Sequence, residues 1–193
     1  MSPILGIYAS QVSGHLWPAS SYESISTVTV GAGGISTVTF SSIPATYTHL
    51  QVRWIARSAG SESTPGGSLM TYAAPHANNF YFHTLYGDGS STTAVNSGGT
   101  SFATLIDYIP GSGATSGVFG TGVFDILDYT NTNKIKTFRS LGGYDNNGSG
   151  TVGLFSGANN DTSVITSLSF AMNSGNNFAQ YSSFALYGIK GVA

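Results

Sequence analysis

The sequence predicts an all-β fold: an antiparallel β-sandwich or jelly roll of about ten strands in a single domain. Ala, Leu, Glu, Lys and Arg never gather into a stretch with a helical repeat, so the signals of an amphipathic helix are nearly missing. Thr, Val, Ile, Tyr and Phe alternate with polar residues instead, as they do in half-buried strands. Groups of Gly, Asn, Asp and Ser separate these runs and supply residues that tolerate tight turns.

The first two strands are predicted to form a hairpin. Residues 25–30 and 35–40 are near-repeats on either side of the glycine-rich loop 31–34. Two alternating runs around such a loop are typical of a β-hairpin. The residues expected to share its buried face are Val28, Val30, Val38 and Phe40.

The next strand, residues 48–57, has the clearest alternation. One side is apolar and the other is polar except for Ile55, so we expect one buried and one exposed face. The apolar side consists of Leu50, Val52, Trp54 and Ala56. Arg53 and Arg57 lie opposite Trp54, where they would either be solvated or pair with carboxylates of another subunit. Further strands are predicted at residues 68–74, 79–86, 102–109, 118–127, 134–141, 151–155, 163–171 and 181–190.

The composition limits the function more than any motif does. The chain carries 6 Lys and Arg and 8 Asp and Glu, 7% of its residues, where a soluble domain usually has roughly a quarter. Its surface is therefore expected to consist of Ser, Thr, Asn, Gly and Tyr. Such a surface suits a subunit of an assembly, an extracellular polymer or a polar binding face better than it suits a metabolic enzyme.

The scattered basic residues form no block that could neutralise several phosphates, so neither nucleic acid nor an anionic membrane is an expected partner. No apolar run approaches the roughly 18 residues of a transmembrane helix. The first eight residues lack the basic start of a secretory signal. There is no cysteine for a disulfide or a thiolate metal site.

Acid–base catalysis would need two carboxylates at a set separation, and the candidates are Asp107, Asp125 and Asp128. On one continuous strand, Asp125 and Asp128 would lie on opposite faces because they are three positions apart. We expect these aspartates to act structurally, as turn caps or as partners of Arg139 and Lys134. The sequence predicts no catalytic residue.

Residues 145–150 place oxygen donors at the first, third and fifth positions, like the start of a calcium loop. The twelfth position is Ser156, where that loop needs a bidentate Glu, so an ordinary Asn-Gly turn is expected. No pair of histidines has close metal-ligand spacing. The four histidines are His15, His49, His76 and His83. We therefore predict neither a metal site nor a cofactor.

An aromatic run, residues 80–86, is the strongest candidate for an exposed contact. On a strand, Phe80, Phe82 and Tyr86 would share one face, and Tyr81 and His83 would lie on the other with Leu85. The Tyr81 and His83 face would suit sugar stacking or a protein interface. The alternative is that both faces are buried.

Residues 1–20 are expected to form an apolar arm and residues 21–193 the β-sandwich domain. The arm has no periodicity, and it would pack on a neighbouring subunit or on the edge of its own sheet. The candidate contact residues of this arm are Leu5, Tyr8, Leu16 and Trp17.

Residues 177–191, from Asn177-Phe-Ala-Gln to Ile189-Lys-Gly191, resemble the C-terminal signature of a family of structural proteins encoded by tailed phages of marine and freshwater bacteria, including cyanophages. The resemblance extends over much of the chain. It is also carried by residues 3–7, 41–53, 86–89, 125–134 and 137–143. Within the signature, Phe184 and Leu186 oppose Tyr187 and Ile189, so this closing strand is apolar on both faces and is expected to be central or covered.

The resemblance implies a non-enzymatic virion protein on the particle exterior, made in the host cytoplasm. It implies other virion proteins, the major capsid protein or tail proteins, as partners. Within that class we expect a capsid decoration or cement protein, forming a homo-oligomer such as a trimer. The alternatives are a tail-fibre or receptor-binding protein that recognises host glycans and, third, a glycan depolymerase. The family supplies no catalytic residues.

Overall fold

The computed structural model describes residues 21–61, 67–75 and 79–191. The predicted arm, with Leu5, Tyr8, Leu16 and Trp17, lies outside the described residues. The strands are β1 Tyr22–Thr29, β2 Thr37–Phe40, β3 His49–Ala56, β4 Gly67–Ala74, β5 Phe80–Gly87, β6 Thr92–Thr100, β7 Ala103–Ile109, β8 Gly120–Leu127, β9 Lys136–Asn146, β10 Ser149–Asn159, β11 Ser167–Met172 and β12 Ser183–Ile189. None of the described residues forms a helix that could cross a membrane.

The strands form two antiparallel sheets, as the alternation predicts. The large sheet has eight strands in the order β1-β12-β3-β8-β9-β10-β5-β6, and the small sheet has four in the order β2-β11-β4-β7. β12 lies between β1 and β3 in the large sheet. The closing strand is therefore central in its sheet, as its two apolar faces led us to expect. The all-β sandwich prediction is confirmed.

The core lies between the two sheets. On β3, the predicted inward residues Leu50, Val52, Trp54 and Ala56 are all buried. Across the core, Phe124 of β8 meets Phe170 of β11 edge-on, with ring centroids 6.1 Å apart. Phe170 also stacks on Phe184 of β12 at 5.6 Å. Such aromatic pairs contribute roughly 0.5–1.5 kcal/mol beyond the area that they bury, so these rings join the sheets.

The predicted hairpin between the first two strands is wrong. β1 pairs with β12 in the large sheet, whereas β2 pairs with β11 in the small one. The loop 31–34 crosses between the sheets, helped by Gly34 at a φ of 66°. Val30, Val38 and Phe40 are buried in the same core and Val28 packs against it while partly buried, so the expectation of a shared buried side holds although the local pairing does not.

β9 and β10 extend further toward the turn that joins them than the sequence predicts. The two strands join through Asn147 and Gly148, whose φ angles are 57° and 91°. Two positive φ angles define the tight type I′ turn that twists like the adjoining strands. The Asn-Gly turn is therefore found where it was expected, and pairing continues to the Asn146 and Ser149 positions beside it.

A buried lysine ties two loops beside the sandwich. Lys136, at the start of β9, is 0% exposed. Its Nζ donates to the carbonyl oxygens of Asn131, Lys134 (3.4 Å) and Thr162 (3.0 Å). An ammonium group has three donors, and here each has a backbone acceptor.

Candidate interaction face

The outer face is the surface of the large sheet turned away from the small sheet. Because side chains alternate along a strand, every second residue of β3, β8, β9, β10 and β5 lies on it. The strand register aligns these residues into rows that cross the sheet. Four rows matter: a polar row, an aliphatic row, a small-residue row and an acidic rim.

The polar row crosses the sheet through Gln51, Asp125, Arg139, Ser156 and His83. Gln51 Nε2 donates to Asp125 Oδ1 at 2.7 Å. Arg139 Nε donates to Asp125 Oδ2 at 2.9 Å. Both oxygens of the Asp125 carboxylate are thus engaged, as a structural role for that aspartate predicts.

An aromatic cluster around Arg53 lies between the polar row and β1, next to Gln51. Tyr22 and Tyr187 stack with centroids 4.9 Å apart, and the Arg53 guanidinium lies 5.4 Å and 5.8 Å from their rings. Burial raises the pKa of Tyr22, against the opposing charge of Arg53. Arg57, in turn, donates to the carbonyl oxygens of Ala114, Thr115 and Val118 at 2.9, 2.9 and 2.6 Å. Both arginines have partners within the chain, and Arg53 remains exposed to solvent. Pairing of either arginine with carboxylates of another subunit stays a prediction.

The aliphatic row lies next to the polar row and is exposed. It consists of Val123, Leu141, Leu154, Leu85 and Ala94, which are aligned in register. Leu141, Leu154 and Leu85 are 55%, 53% and 49% exposed. Contiguous exposed apolar side chains on a folded domain usually mark a contact surface. Three concavities of about 280, 290 and 320 Å³ are each lined in part by Leu154.

The small-residue row forms a trough beyond the aliphatic row. It runs through Ile55, Thr121, Gly143, Val152 and Gly87. A groove of about 650 Å³ lies over this part of the sheet. Gly143 also permits close backbone approach, since a Cβ there would lie 2.2 Å from the Thr151 carbonyl oxygen. The sheet therefore presents a ridge of leucines beside a groove centred on Gly143, and the exposed side chain of Val152 lies at the edge of that groove.

The acidic rim closes the far end of the groove with Asp88 and Asp145. Asp88 Oδ1 accepts hydrogen bonds from the backbone N–H groups of Ser91 (2.7 Å) and Ser90 (2.9 Å), which hold the pKa of that carboxyl well below its usual range. Asp145 Oδ1 accepts from the Gly148 N–H at 3.0 Å. Both carboxylates cap turns while facing solvent.

Tyr81 and His83 both lie on the exposed side of β5, next to Leu85. Tyr81 is 48% exposed. Its ring lies over Gly98 of the edge strand β6, where a Cβ would come within 2.5 Å of the ring. His83 lines the concavity of about 320 Å³ together with Leu154 and Ser156.

The other candidate residues do not converge on a catalytic centre. Asp128 bonds to Lys134 at 2.6 Å, which lowers the pKa of Asp128, and its backbone N–H donates to His49 Nδ1 at 3.0 Å. Asp125 and Asp128 therefore serve the predicted partners Arg139 and Lys134. The side chain of Asp107 lies outside the described residues, as do His15 and His76. Among the described residues, no three His, Cys, Asp or Glu side chains group as metal ligands.

Sequence reasoning missed the aliphatic row. A signal was present, because residues 151–155 and 141–144 have apolar or glycine residues on both faces of the strand, with no clean alternation of apolar and polar positions. The closing strand was interpreted from that signal and these strands were not. No protein-family model, curated protein or solved structure matches this chain.

Proposed function

We propose that the protein is a non-enzymatic structural protein of a tailed-phage virion, bound to the particle exterior through the outer face. Within that class the proposal is a capsid decoration or cement protein. The observation that carries it is the exposed row of Leu141, Leu154 and Leu85. The resemblance of residues 177–191 supports the phage origin.

The chemistry of the outer face favours a protein partner over a sugar. Sugar sites use aromatic rings as stacking platforms and polar groups that are available to the ligand. Here the ridge is aliphatic, and the Asp125 carboxylate is bonded to Gln51 and Arg139. Aliphatic side chains beside internally paired charges bury at low desolvation cost when another protein covers them.

The cement role fits a compact subunit. The described residues contain two packed sheets and no coiled-coil or β-helical shaft such as a projecting fibre uses. A cement protein adds binding energy at lattice junctions and so resists the pressure of packaged DNA. Burying the exposed half of the three leucine side chains contributes about 1 kcal/mol each, and repetition over many copies multiplies that small term.

The experiment is binding of the full-length protein to emptied, expanded phage capsids, followed by co-sedimentation. Leu154→Asp places a charge in the middle of the aliphatic row and is expected to abolish binding. Ile135→Asp is the matched control, because Ile135 is 47% exposed but precedes β9 outside the outer face. Equal binding by both variants would refute attachment through this face.

A receptor-binding tail protein is the second candidate, favoured by Tyr81 and His83 beside a concavity of about 320 Å³. A glycan array probed with the wild type and with Tyr81→Ala tests it. Sugar binding that Tyr81→Ala removes and Leu141→Asp leaves intact would favour the tail role, because Leu141 belongs to the aliphatic row but does not line this concavity. Absence of binding on an array of host envelope glycans would count against it.

A further inference from the structure

We infer that the outer face receives the same face of a second copy of this chain, in a two-fold, face-to-face dimer whose strands cross antiparallel. This inference rests on the proposed role of the outer face as a protein contact, and it concerns the protein free of the particle. The outer face binds either a second copy or the shell, so the two contacts exclude each other. The contact surface consists of described residues of β3, β8, β9, β10, β5 and β6.

The shape of the face is self-complementary. Along β9 the outward residues are Arg139, Leu141, Gly143 and Asp145 in that order. A two-fold axis that crosses the strands between Leu141 and Gly143 lays Leu141 of each copy over Gly143 and the groove beside it in the other. On β10 the same axis lays Leu154 opposite Val152 of the second copy. Isologous contacts of this kind close as a dimer and leave no open surface for further addition.

The charges are also complementary under that operation. Arg139 lies at one end of the outward residues of β9 and Asp145 at the other, so the axis brings each Arg139 toward Asp145 of the second copy. The Arg139 side chain is 65% exposed and bonds to Asp125 through Nε. Asp145 is exposed. Complementary charges at the margin of an interface fix its register more than its affinity.

The face is large enough for a specific dimer. Six strands from β3 to β6 at a spacing of about 4.8 Å span roughly 24 Å, and six residues along β9 span roughly 20 Å. The footprint is thus on the order of 500 Å² in projection, and the accessible area of a ridged surface exceeds its projection. Standard interfaces bury about 800 Å² per partner, so the two sheets can form one.

Two measurements test the dimer. The first is sedimentation equilibrium of the full chain at concentrations up to about 100 µM, which detects a dimer whose dissociation constant lies at or below that concentration. Leu154→Asp is expected to weaken the dimer at least tenfold, and Ile135→Asp is expected to leave it unchanged. Both exposed positions tolerate the change without unfolding, which circular dichroism checks.

The second measurement tests the register and does not depend on a disruptive variant. The chain has no cysteine, so single cysteines are unique reactive sites. A mixture of Leu154→Cys and Val152→Cys proteins, treated with a bis-maleimide that spans the roughly 10 Å between stacked sheets, is expected to cross-link severalfold more than Leu154→Cys alone.

Several results would overturn the inference. These are a monomeric wild type at every concentration, a dimer that Leu154→Asp leaves intact, equal cross-linking in the mixture and the single variant, or a dimer that forms only after residues 1–20 are removed. A monomer that still binds capsids through Leu154 would overturn the dimer and leave the virion role standing. A chain that dimerises in solution but is absent from phage particles would overturn the virion role and leave the dimer standing.

Discussion

Replacing the buried Lys136 by methionine tests whether the loops beside the sandwich depend on one ammonium group. Methionine has a similar length and leaves little cavity, so the change removes the charge and the donors and keeps the packing. The carbonyl oxygens of Asn131, Lys134 and Thr162 lose their shared partner. We expect Lys136→Met to destabilise the fold.

The size of the effect follows from the contacts. The bond to the Lys134 carbonyl is long, at 3.4 Å. The bonds to the Asn131 and Thr162 carbonyls are each expected to contribute about 1.5–3 kcal/mol, the usual range for a hydrogen bond to a charged group. Burial opposes the ammonium, and it lowers the pKa of Lys136. Removing the charge therefore recovers part of the stability that the lost hydrogen bonds cost. The net loss is about 2–4 kcal/mol, which corresponds to roughly 5–15 °C in Tm for a domain of this size.

The assay is urea unfolding with thermal melting as a second probe. Lys134→Met is the matched control, because Lys134 is 61% exposed and bonds to Asp128 at the surface; surface pairs contribute about 1 kcal/mol or less. A Lys136→Met protein as stable as Lys134→Met would refute the argument that the buried ammonium holds the loops.

Three further predictions concern pH, a turn and catalysis. Tyr129 is fully buried, and burial raises its pKa above the ordinary value of 10.0. The folded state therefore holds the phenolic proton more tightly than the unfolded chain does, so stability that is present below pH 10 is lost as the pH rises. With Tyr129→Phe, the urea midpoint should fall less steeply with rising pH. An unchanged decline would contradict this. Gly148→Ala places a side chain at a φ of 91° and should lower the free energy of unfolding in urea by about 1 kcal/mol. Gly31→Ala, where a Cβ meets open space and φ is not positive, should change that free energy little. Equal effects of the two substitutions would refute the turn argument. The wild type should release no sugar from host envelope, and release that Asp125→Asn abolishes would show that Asp125 is catalytic.

The alternation of residues predicted the buried side of β3, including Ile55 as the exception, which is 44% exposed. Turn chemistry predicted the Asn147-Gly148 hairpin. Charge reasoning predicted that Asp125 and Asp128 serve Arg139 and Lys134. Each of these depends on local sequence or on one plausible partner, and for that reason sequence alone was sufficient.

The errors arise where distant pairing decides. The sequences of β1 and β2 resemble a hairpin, but β1 pairs with β12 and β2 pairs with β11. The loop between them connects the two sheets at the surface. β6 was missed because its Thr, Ser, Asn and Gly residues lie at the sheet edge, where no buried face imposes alternation. The aliphatic row was missed because a row across a sheet exists only once the register is set.

The most direct test of the account is imaging of an intact phage particle at residue resolution, with this chain located in the map. We predict many copies of the chain on the exterior of the shell, with the side chains of Leu154 and Leu141 covered by protein. Absence of the chain from the particle, or copies whose outer face is turned to solvent, would contradict it.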